Sequence, residues 1–455
     1  MINLFEYQNR AEFRDSEGKL EKFLDEIWKN REKNLFYLED DSAKKQTQQF
    51  IEFTKSGEIK SNKYVGVIYF DKRKINLLPK IFYDNNKEPT AHDILIIQNH
   101  ILWWLSYCRK IKFPNYMSAP DTLKSDFFEV LIYLFAKYTR ELLSHSIYQH
   151  YEELDTELNF IKGRLNISNY INDNLSTGRR HKLSCTYDSF LLDNKFNRII
   201  KYVSKMLHGI SMNAENRKYL SEILFVLDEV SDIIPTAQDC LRIRFNHIFE
   251  EYETVRDYCY LFLSSSISFD YKNDLKLFAF LLPMEYLFED FVFGFISKEL
   301  KDVKVQSQST STSLDRDKNF TLRPDMIIET EEKKIIADTK YKIVYSDETD
   351  PKKGISSSDL YQMLAYGVRF AIDEIILFYP NTIKGDKVQE GLIIIEDEFA
   401  DKKEVRVHAY QIPVIDRRMF FEGDGKKRDL RQMFAGTREQ LKTRLEEILG
   451  VNNGS

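Results

Sequence analysis

Two acids and a lysine meet on one short stretch of the chain. Asp325 stands near the head of a β-branched run, Leu322-Arg323-Pro324-Asp325-Met326-Ile327-Ile328. Asp338 and Lys340 close a second run, Lys334-Ile335-Ile336-Ala337-Asp338-Thr339-Lys340-Tyr341-Lys342. Runs of this kind form strands, and residues 329–333 between them hold no apolar side chain and supply the turn. Pro324, which has no N–H to donate, suits the start or edge of a strand. Side chains alternate with period two, so Ile336, Asp338 and Lys340 share one face while Ala337, Thr339 and Tyr341 take the other. Acids inside an apolar strand are costly unless paired or bound to metal. Carboxylates are hard oxygen donors that suit Mg²⁺ and also Mn²⁺. A cation held there polarises a phosphodiester and acidifies a bound water, and a lysine beside it orients that water or offsets charge on the phosphorane. The competing reading is a solvated hairpin with ordinary surface charges.

Pro-Asp, an interval, then Asp-x-Lys in strand context resembles the PD-(D/E)xK nuclease superfamily. That resemblance implies a third acid from a preceding helix. Residues 284–293 have helical character, and Glu289 is the best candidate, with Glu285 one turn away on the same face as the alternative. Downstream, residues 360–367 also read as a helix, and Gln362 and Tyr366 share a face at a spacing of four. A Gln-x-x-x-Tyr helix after the lysine strand resembles the RecB-like branch, where it lies along the active site. Without Asp-x-Lys before it, a core tyrosine beside a surface glutamine would be the better description.

Composition narrows the partners. With 455 residues, the chain is too long for one core, so two or three domains are expected. A net charge of −6 excludes a uniformly basic coat for DNA; contact with nucleic acid must be local or shared. The four cysteines and eight histidines show neither zinc spacing nor a disulfide framework. Residues 1–6 do not read as a signal peptide. The most apolar run, 94–107, contains Gln98, Asn99 and His100 and does not span a bilayer. A soluble cytoplasmic protein is expected. No Gly-x₄-Gly-Lys-Ser/Thr loop occurs, so nucleotide hydrolysis, where it is needed, falls to another chain.

The remaining chain supplies the elements that hold these residues. Apolar positions Leu20, Phe23, Leu24 and Ile27 have helix spacing. Residues 64–81 read as a β-hairpin with a solvated turn at Lys72 to Lys74. Helices are expected over 93–107, 125–143, 197–206, 214–228 and 242–263, with Trp103 and Trp104 in a core. Asp193 suits a helix N-cap. The most basic stretch, 177–182, is by default a solvated run; contact with a phosphate backbone is its second reading. Residues 306–319 read as a flexible loop or irregular hairpin. Strands follow at 374–379, 392–395 and 405–411. A last helix begins near Thr437, capped with Gln440, and carries a stripe of Leu441, Leu445, Ile448 and Leu449.

Three features, in this order, resemble the McrC family: a Gly-Val-Ile strand turning into Leu78-Pro79-Lys80-Ile81, then Gly163-Arg164-Leu165, then Asp193-x₃-Asn197. The expected fold is an α+β multidomain protein. It has an N-terminal β-rich, partner-binding domain over 1–90, a mainly helical middle region over 91–268, and a C-terminal α/β/α PD-(D/E)xK endonuclease core over 269–455. The resemblance implies the endonuclease subunit of a McrBC-type modification-dependent restriction system, cutting modified double-stranded DNA with Mg²⁺. It further implies an AAA+ GTPase of the McrB type, into which the N-terminal domain inserts and which it stimulates; the 64–81 hairpin is one candidate for that insertion. Asp325 and Asp338 are the expected metal ligands with Glu289 assisting, Lys340 the residue acting on water, and Gln362 and Tyr366 positioning residues. A double-strand break asks for two copies, as a homodimer or as two partner-bound complexes. The alternatives are a stand-alone RecB-like nuclease and a non-enzymatic activator of the GTPase.

Overall fold

The structure, a computed structural model, describes residues 2–13, 15, 18–30, 48–70, 73–109, 127–264, 278–307, 312–317, 319–344, 352, 355–384, 390–397, 403–420 and 433–451. The chain opens with β1 (Ile2–Phe5), β2 (Arg10–Glu12), α1 (Lys19–Asn30), β3 (Ile51–Phe53), β4 (Glu58–Ser61), β5 (Tyr64–Phe70), β6 (Arg73–Leu78) and α2 (Ala91–Tyr107). There follow α3 (Phe127–His145), β7 (His150–Leu158), β8 (Arg164–Leu165), α4 (Ile167–Asn169), β9 (Leu183–Leu191), α5 (Lys195–Ile210), α6 (Ala214–Val226), α7 (Ala237–Leu241) and α8 (Tyr252–Ser264). The last part comprises β10 (Phe278–Pro283), α9 (Met284–Glu299), β11 (Lys304–Ser307), β12 (Met326–Glu329), β13 (Lys334–Thr339), α10 (Ser357–Phe370), β14 (Glu374–Pro380), β15 (Glu390–Asp397), β16 (Lys403–Ile412) and α11 (Ala435–Leu449).

These elements form two compact units, one of residues 1–130 with 264–455 and one of residues 131–263. The division differs from three consecutive segments at 1–90, 91–268 and 269–455, the last of which was expected to begin near Phe269, outside the described residues. In the first unit β10, late in the chain, runs antiparallel to β5 from Phe278↔Tyr69 to Pro283↔Tyr64. The sheet order is β1-β6-β5-β10. The apolar strands β5 and β10 complete each other's hydrogen bonds, which ties the N-terminal strands to the segment beyond residue 264. The β5–β6 hairpin is therefore not a projecting arm. Strands occupy both its flanks, and Tyr64, Val65, Ile68 and Leu77 are fully buried.

The second unit is rich in helix, and it also contains a three-stranded sheet that the apolar periodicity did not mark. Residues 150–158 and 183–191 form a long antiparallel pair, β7 with β9, and β8 adds to the other edge of β9. β7 is mostly polar, and the apolar residues of β9 are interrupted by Ser, Thr and Asp, so neither strand forms an apolar run. Gly163 before β8 has φ +70°, and a Cβ there would lie 2.4 Å from the Thr186 carbonyl oxygen, so this corner of the Gly-Arg-Leu element requires glycine. Asp193 is not the N-cap of α5. The side chain of Asn194 accepts from the Phe196 and Asn197 amides, while Asp193 accepts from Arg198 at 2.7 Å and from Ser231 Oγ at 2.6 Å. Residues 242–251 are not α-helix; α8 begins at Tyr252. Of the basic stretch, Arg179 and Lys182 lie 3.9 and 3.6 Å from Glu157, so part of its charge is used within the unit.

In the first unit the sheet that bears the two acids has the order β11-β12-β13-β14-β16-β15. Strands β13, β14 and β16 are parallel, and β11, β12 and β15 pair antiparallel with their neighbours. Parallel neighbours need a crossover, and α10 provides it between β13 and β14. Its Met363 and Tyr366 pack with Ile336, Ile375 and Leu377. The other face of β13 meets α9, where Phe288 packs on Tyr341 at 5.8 Å.

Helix α9 is itself held by α2. A Cβ on Gly294 would stand 1.8 Å from the Tyr107 carbonyl oxygen, so the helices approach at a distance only glycine allows. Arg109 caps the contact, its Nε 2.6 Å and its amide 2.9 Å from the Asp290 carboxylate. Gly294→Ala is expected to destabilise the protein by about 1–3 kcal/mol through overpacking against backbone, read as a lower urea midpoint; an unchanged midpoint would contradict this packing. Trp103 and Trp104 are core residues, and Trp104 donates to the Val414 carbonyl at 3.1 Å. Helix α11 starts at Ala435. Thr437 is not its cap: the hydroxyl is buried and donates to Asp416 at 2.8 Å. Leu441, Leu445 and Leu449 are buried as the stripe required, and Ile448 is half-buried.

Candidate active site

The β12–β13 hairpin brings Asp325 and Asp338 to the same end of the sheet. Met326 pairs with Ala337, so the residue before β12 lies beside the end of β13. Asp325 is anchored there by Thr339, whose amide and hydroxyl both donate to Oδ2, at 2.7 and 2.6 Å. The described residues donate no hydrogen bond to Asp325 Oδ1. Asp338, only 2 % exposed, sits in the parallel ladder opposite Leu377. Lys340 follows β13 and extends it, its amide donating to the Phe378 carbonyl at 2.8 Å.

Lys340 is the hub. Its Nζ lies 2.5 Å from Asp338 Oδ2 and donates to Gln362 Oε1 at 3.1 Å. The approach to Asp338 is an ion pair off the hydrogen-bond axis, so that buried oxygen has no aligned donor among the described residues. From Gln362 the chain continues: Nε2 donates to the Tyr366 hydroxyl at 2.9 Å, which donates to the Arg323 carbonyl at 3.0 Å. Gln362 and Tyr366 thus link α10 to both the lysine and the Pro-Asp turn.

The charges explain one another. Burial, then the charge of Glu289, push the Asp325 carboxyl up to about 7 against the two Thr339 bonds. Burial and Asp325 push Asp338 to about 7 despite Lys340. Burial alone would lower Lys340, but Asp338, Asp325 and Asp359 hold its ammonium above the ordinary lysine range. Tyr366 is raised by burial and by the two aspartates, so its hydroxyl stays protonated. Two acids forced together in a buried place and left with unbonded lone pairs are the environment a divalent cation relieves, and the donor set is all oxygen, as Mg²⁺ and Mn²⁺ require.

Of the two candidate third acids, Glu289 on α9 is half-buried and its charge reaches Asp325. Glu285 is exposed, and its charge acts on Glu6, Lys80 and Tyr341 instead. Among the described residues no three His, Cys, Asp or Glu side chains stand close enough to hold an ion by themselves. A cation here would complete its shell with solvent and substrate oxygens, as Mg²⁺ commonly does. Sequence reasoning missed two partners. Thr339 lies inside Asp-x-Lys, where its parity pointed it away from the acids. Asp359 accepts from Lys342 at 2.6 Å and lies 3.9 Å from Lys340. Its signal was local: the third helical residue after Ser356, whose hydroxyl accepts from the Asp359 amide.

Comparison with known proteins decides the family. The model of the family described as McrBC 5-methylcytosine restriction system component matches residues 59–380. The chain belongs to that McrBC component family. Among solved structures, a chain in the refined half-complex from the tetradecameric assembly of Thermococcus gammatolerans McrB AAA+ hexamers with bound McrC has a TM-score of 0.63. It shares 19 % identity, and the match covers 98 % of this chain and 99 % of that one. A chain in the cryo-EM structure of the Thermococcus gammatolerans McrBC complex shares 22 % identity over 66 % of this McrBC component and 88 % of its own length, with a TM-score of 0.47. The first likeness is one of fold. The curated proteins give no match. Among the described residues of this McrBC component, no helix is long and apolar enough to cross a membrane.

Proposed function

We propose that this McrBC component is the McrC-type endonuclease subunit, hydrolysing DNA phosphodiesters at a PD-(D/E)xK site. The observation that carries the reading is the meeting of Asp325, Asp338 and Lys340 at one end of a parallel-centred sheet, with Gln362 bonded to the lysine. Asp325 and Asp338, with Glu289 assisting, would hold Mg²⁺ or Mn²⁺, which supplies polarisation of the scissile phosphate and acidification of a water. Lys340 keeps its proton beside these acids and can donate to the attacking water or to phosphate oxygens as negative charge builds. Gln362 fixes the direction of that ammonium, and Tyr366 holds Gln362 against the Pro-Asp turn.

The partner is proposed from family membership. The Thermococcus gammatolerans assembly pairs McrC with McrB AAA+ hexamers, and an AAA+ GTPase of that type would supply nucleotide hydrolysis and recognition of modified DNA. Two copies of this chain, as a homodimer or in two partner-bound complexes, would make a double-strand break. The test is cleavage of methylated plasmid DNA with Mg²⁺ by the chain alone and by the chain with an McrB-type AAA+ GTPase and GTP. Cleavage only by the GTP-supplied pair supports the restriction-subunit reading. Cutting by the isolated chain would move it to a stand-alone nuclease, and GTPase stimulation without cutting to a non-enzymatic activator.

A further inference from the structure

The Leu-Pro-Lys-Ile motif has no part in the acids-and-lysine site, yet it ends beside it. After β6, the Lys80 amide donates to Glu6 Oε2 at 3.2 Å, and the Glu6 amide donates to the Leu78 carbonyl at 3.0 Å, so the ends of β1 and β6 are laced together. Glu6 is 1 % exposed, an acid wholly inside the protein, and burial pushes its carboxyl to about 7. Lys80 Nζ lies 4.5 Å from the centre of the Tyr341 ring, within cation–π range, and 5.7 Å from that of Tyr7. The charges of Glu6 and Glu285 favour its ammonium against the burial that opposes it. Tyr341 is itself buried against Phe288 of α9, and its hydroxyl faces Glu6 without an aligned hydrogen bond.

Tyr341 is the residue after the catalytic lysine. Its side chain takes the face opposite Asp338 and Lys340, and β13 has ended at Thr339. Beyond that point the Lys340 amide bonds Phe378 and the Lys342 amide bonds the Lys340 carbonyl. The backbone that aims Lys340 is thus held on one side by the sheet and on the other by whatever grips Tyr341. An apolar cover would bury the ring at lower cost than an acid and a lysine do. A charge placed over the ring face selects one ring position, which greasy packing does not.

We propose that Glu6, Lys80 and Tyr341 form a clamp by which the N-terminal sheet positions the backbone of the catalytic Lys340. The clamp deepens the nuclease reading and rests on it; Lys80 and Tyr341 are positioning residues. The test compares the full chain with its Lys80→Met and Lys80→Arg variants under the conditions in which the wild type cuts DNA. It measures kcat and KM, the thermal midpoint, and amide hydrogen exchange over residues 338–344. Lys80→Met is expected to lower kcat about tenfold or more, since small misplacements of a catalytic group cost on that order. KM for DNA should stay within about twofold because the lysine does not touch substrate, and exchange at Lys340 and Lys342 should quicken. Lys80→Arg, which also places a cation over the ring, should recover most of the turnover. Unchanged turnover and exchange in Lys80→Met would overturn the clamp. So would a change confined to KM, which would make Lys80 a DNA contact, or equal loss in both variants in step with lower thermal midpoints, which would make it a packing residue. If the wild type cuts no DNA with either cation, the nuclease reading falls. The exchange comparison then still decides the clamp, faster exchange supporting it and unchanged exchange overturning it.

Discussion

Asp338→Asn is expected to lower DNA cleavage by about 10³-fold or more and, at the same time, to make the metal-free protein more stable above pH 7. The two effects have one cause. In the folded chain burial and Asp325 raise the Asp338 carboxyl from its ordinary 3.8 to about 7. The folded state therefore binds more protons than the unfolded state across that interval, and stability falls as pH rises from about 4 to about 7. Asparagine removes this loss and relieves Asp325, which has the same elevation, and Lys340 then keeps Gln362, the charge of Asp325 and the more distant Asp359. Denaturation midpoints in EDTA should decline from pH 5 to pH 8 for the wild type and less steeply for the variant. Mg²⁺ should raise the wild-type midpoint at pH 8 and leave the variant nearly unmoved, because a ligand stabilises only the state that binds it. A variant that is folded, inactive and less stable than wild type at pH 8 would show that Asp338 is a structural acid rather than a ligand held under electrostatic stress.

Lys340→Met should lower cleavage by about 10²–10³-fold with the opposite effect on stability. The ammonium lies 2.5 Å from the buried Asp338, and its charge acts on both acids. Removing one partner of a buried ion pair costs about 3–5 kcal/mol when the other charge is trapped. Here Asp338 can take up a proton, so a cost of about 1–3 kcal/mol at pH 8 is expected, shrinking toward pH 5. Lys340→Arg should not restore the wild-type rate, since a planar fork cannot occupy the space of a compact ammonium bonded to Gln362 Oε1. Equal cleavage rates in steady-state assays of Lys340→Met and the wild type would remove the lysine from the chemistry. Together the two substitutions separate charge from packing: both are expected to lower cleavage, with effects of opposite sign on metal-free stability.

What the sequence determined by itself was the set of candidate residues and their local frame. Asp325, Asp338 and Lys340 lie within one hairpin, so strand alternation and a polar turn were enough to place them together, and β12 and β13 formed where the β-branched runs stand. Gln362 and Tyr366 were legible for the same reason, because helical spacing is a local rule, and the structure bonds them to each other and to Lys340. Tertiary structure decided what no local rule reaches. The middle strands β7 and β9 offer no apolar run, β7 being mostly polar and β9 broken by Ser, Thr and Asp, and their pairing across residues 150–191 is a long-range match of backbone. The 64–81 hairpin was legible from its two apolar runs, but its neighbours were not, because β1 and β10 flank it from distant parts of the chain. The choice of Glu289 over Glu285 as the acid that acts on Asp325 depends on how α9 rolls against β13, which periodicity leaves open by one turn. The elevated acids belong to this second class as well. A carboxylate's ordinary pKa is a property of its chemistry, but its displacement to about 7 comes from burial and neighbouring charge, which exist only once the sheet, α9 and α10 have closed around it.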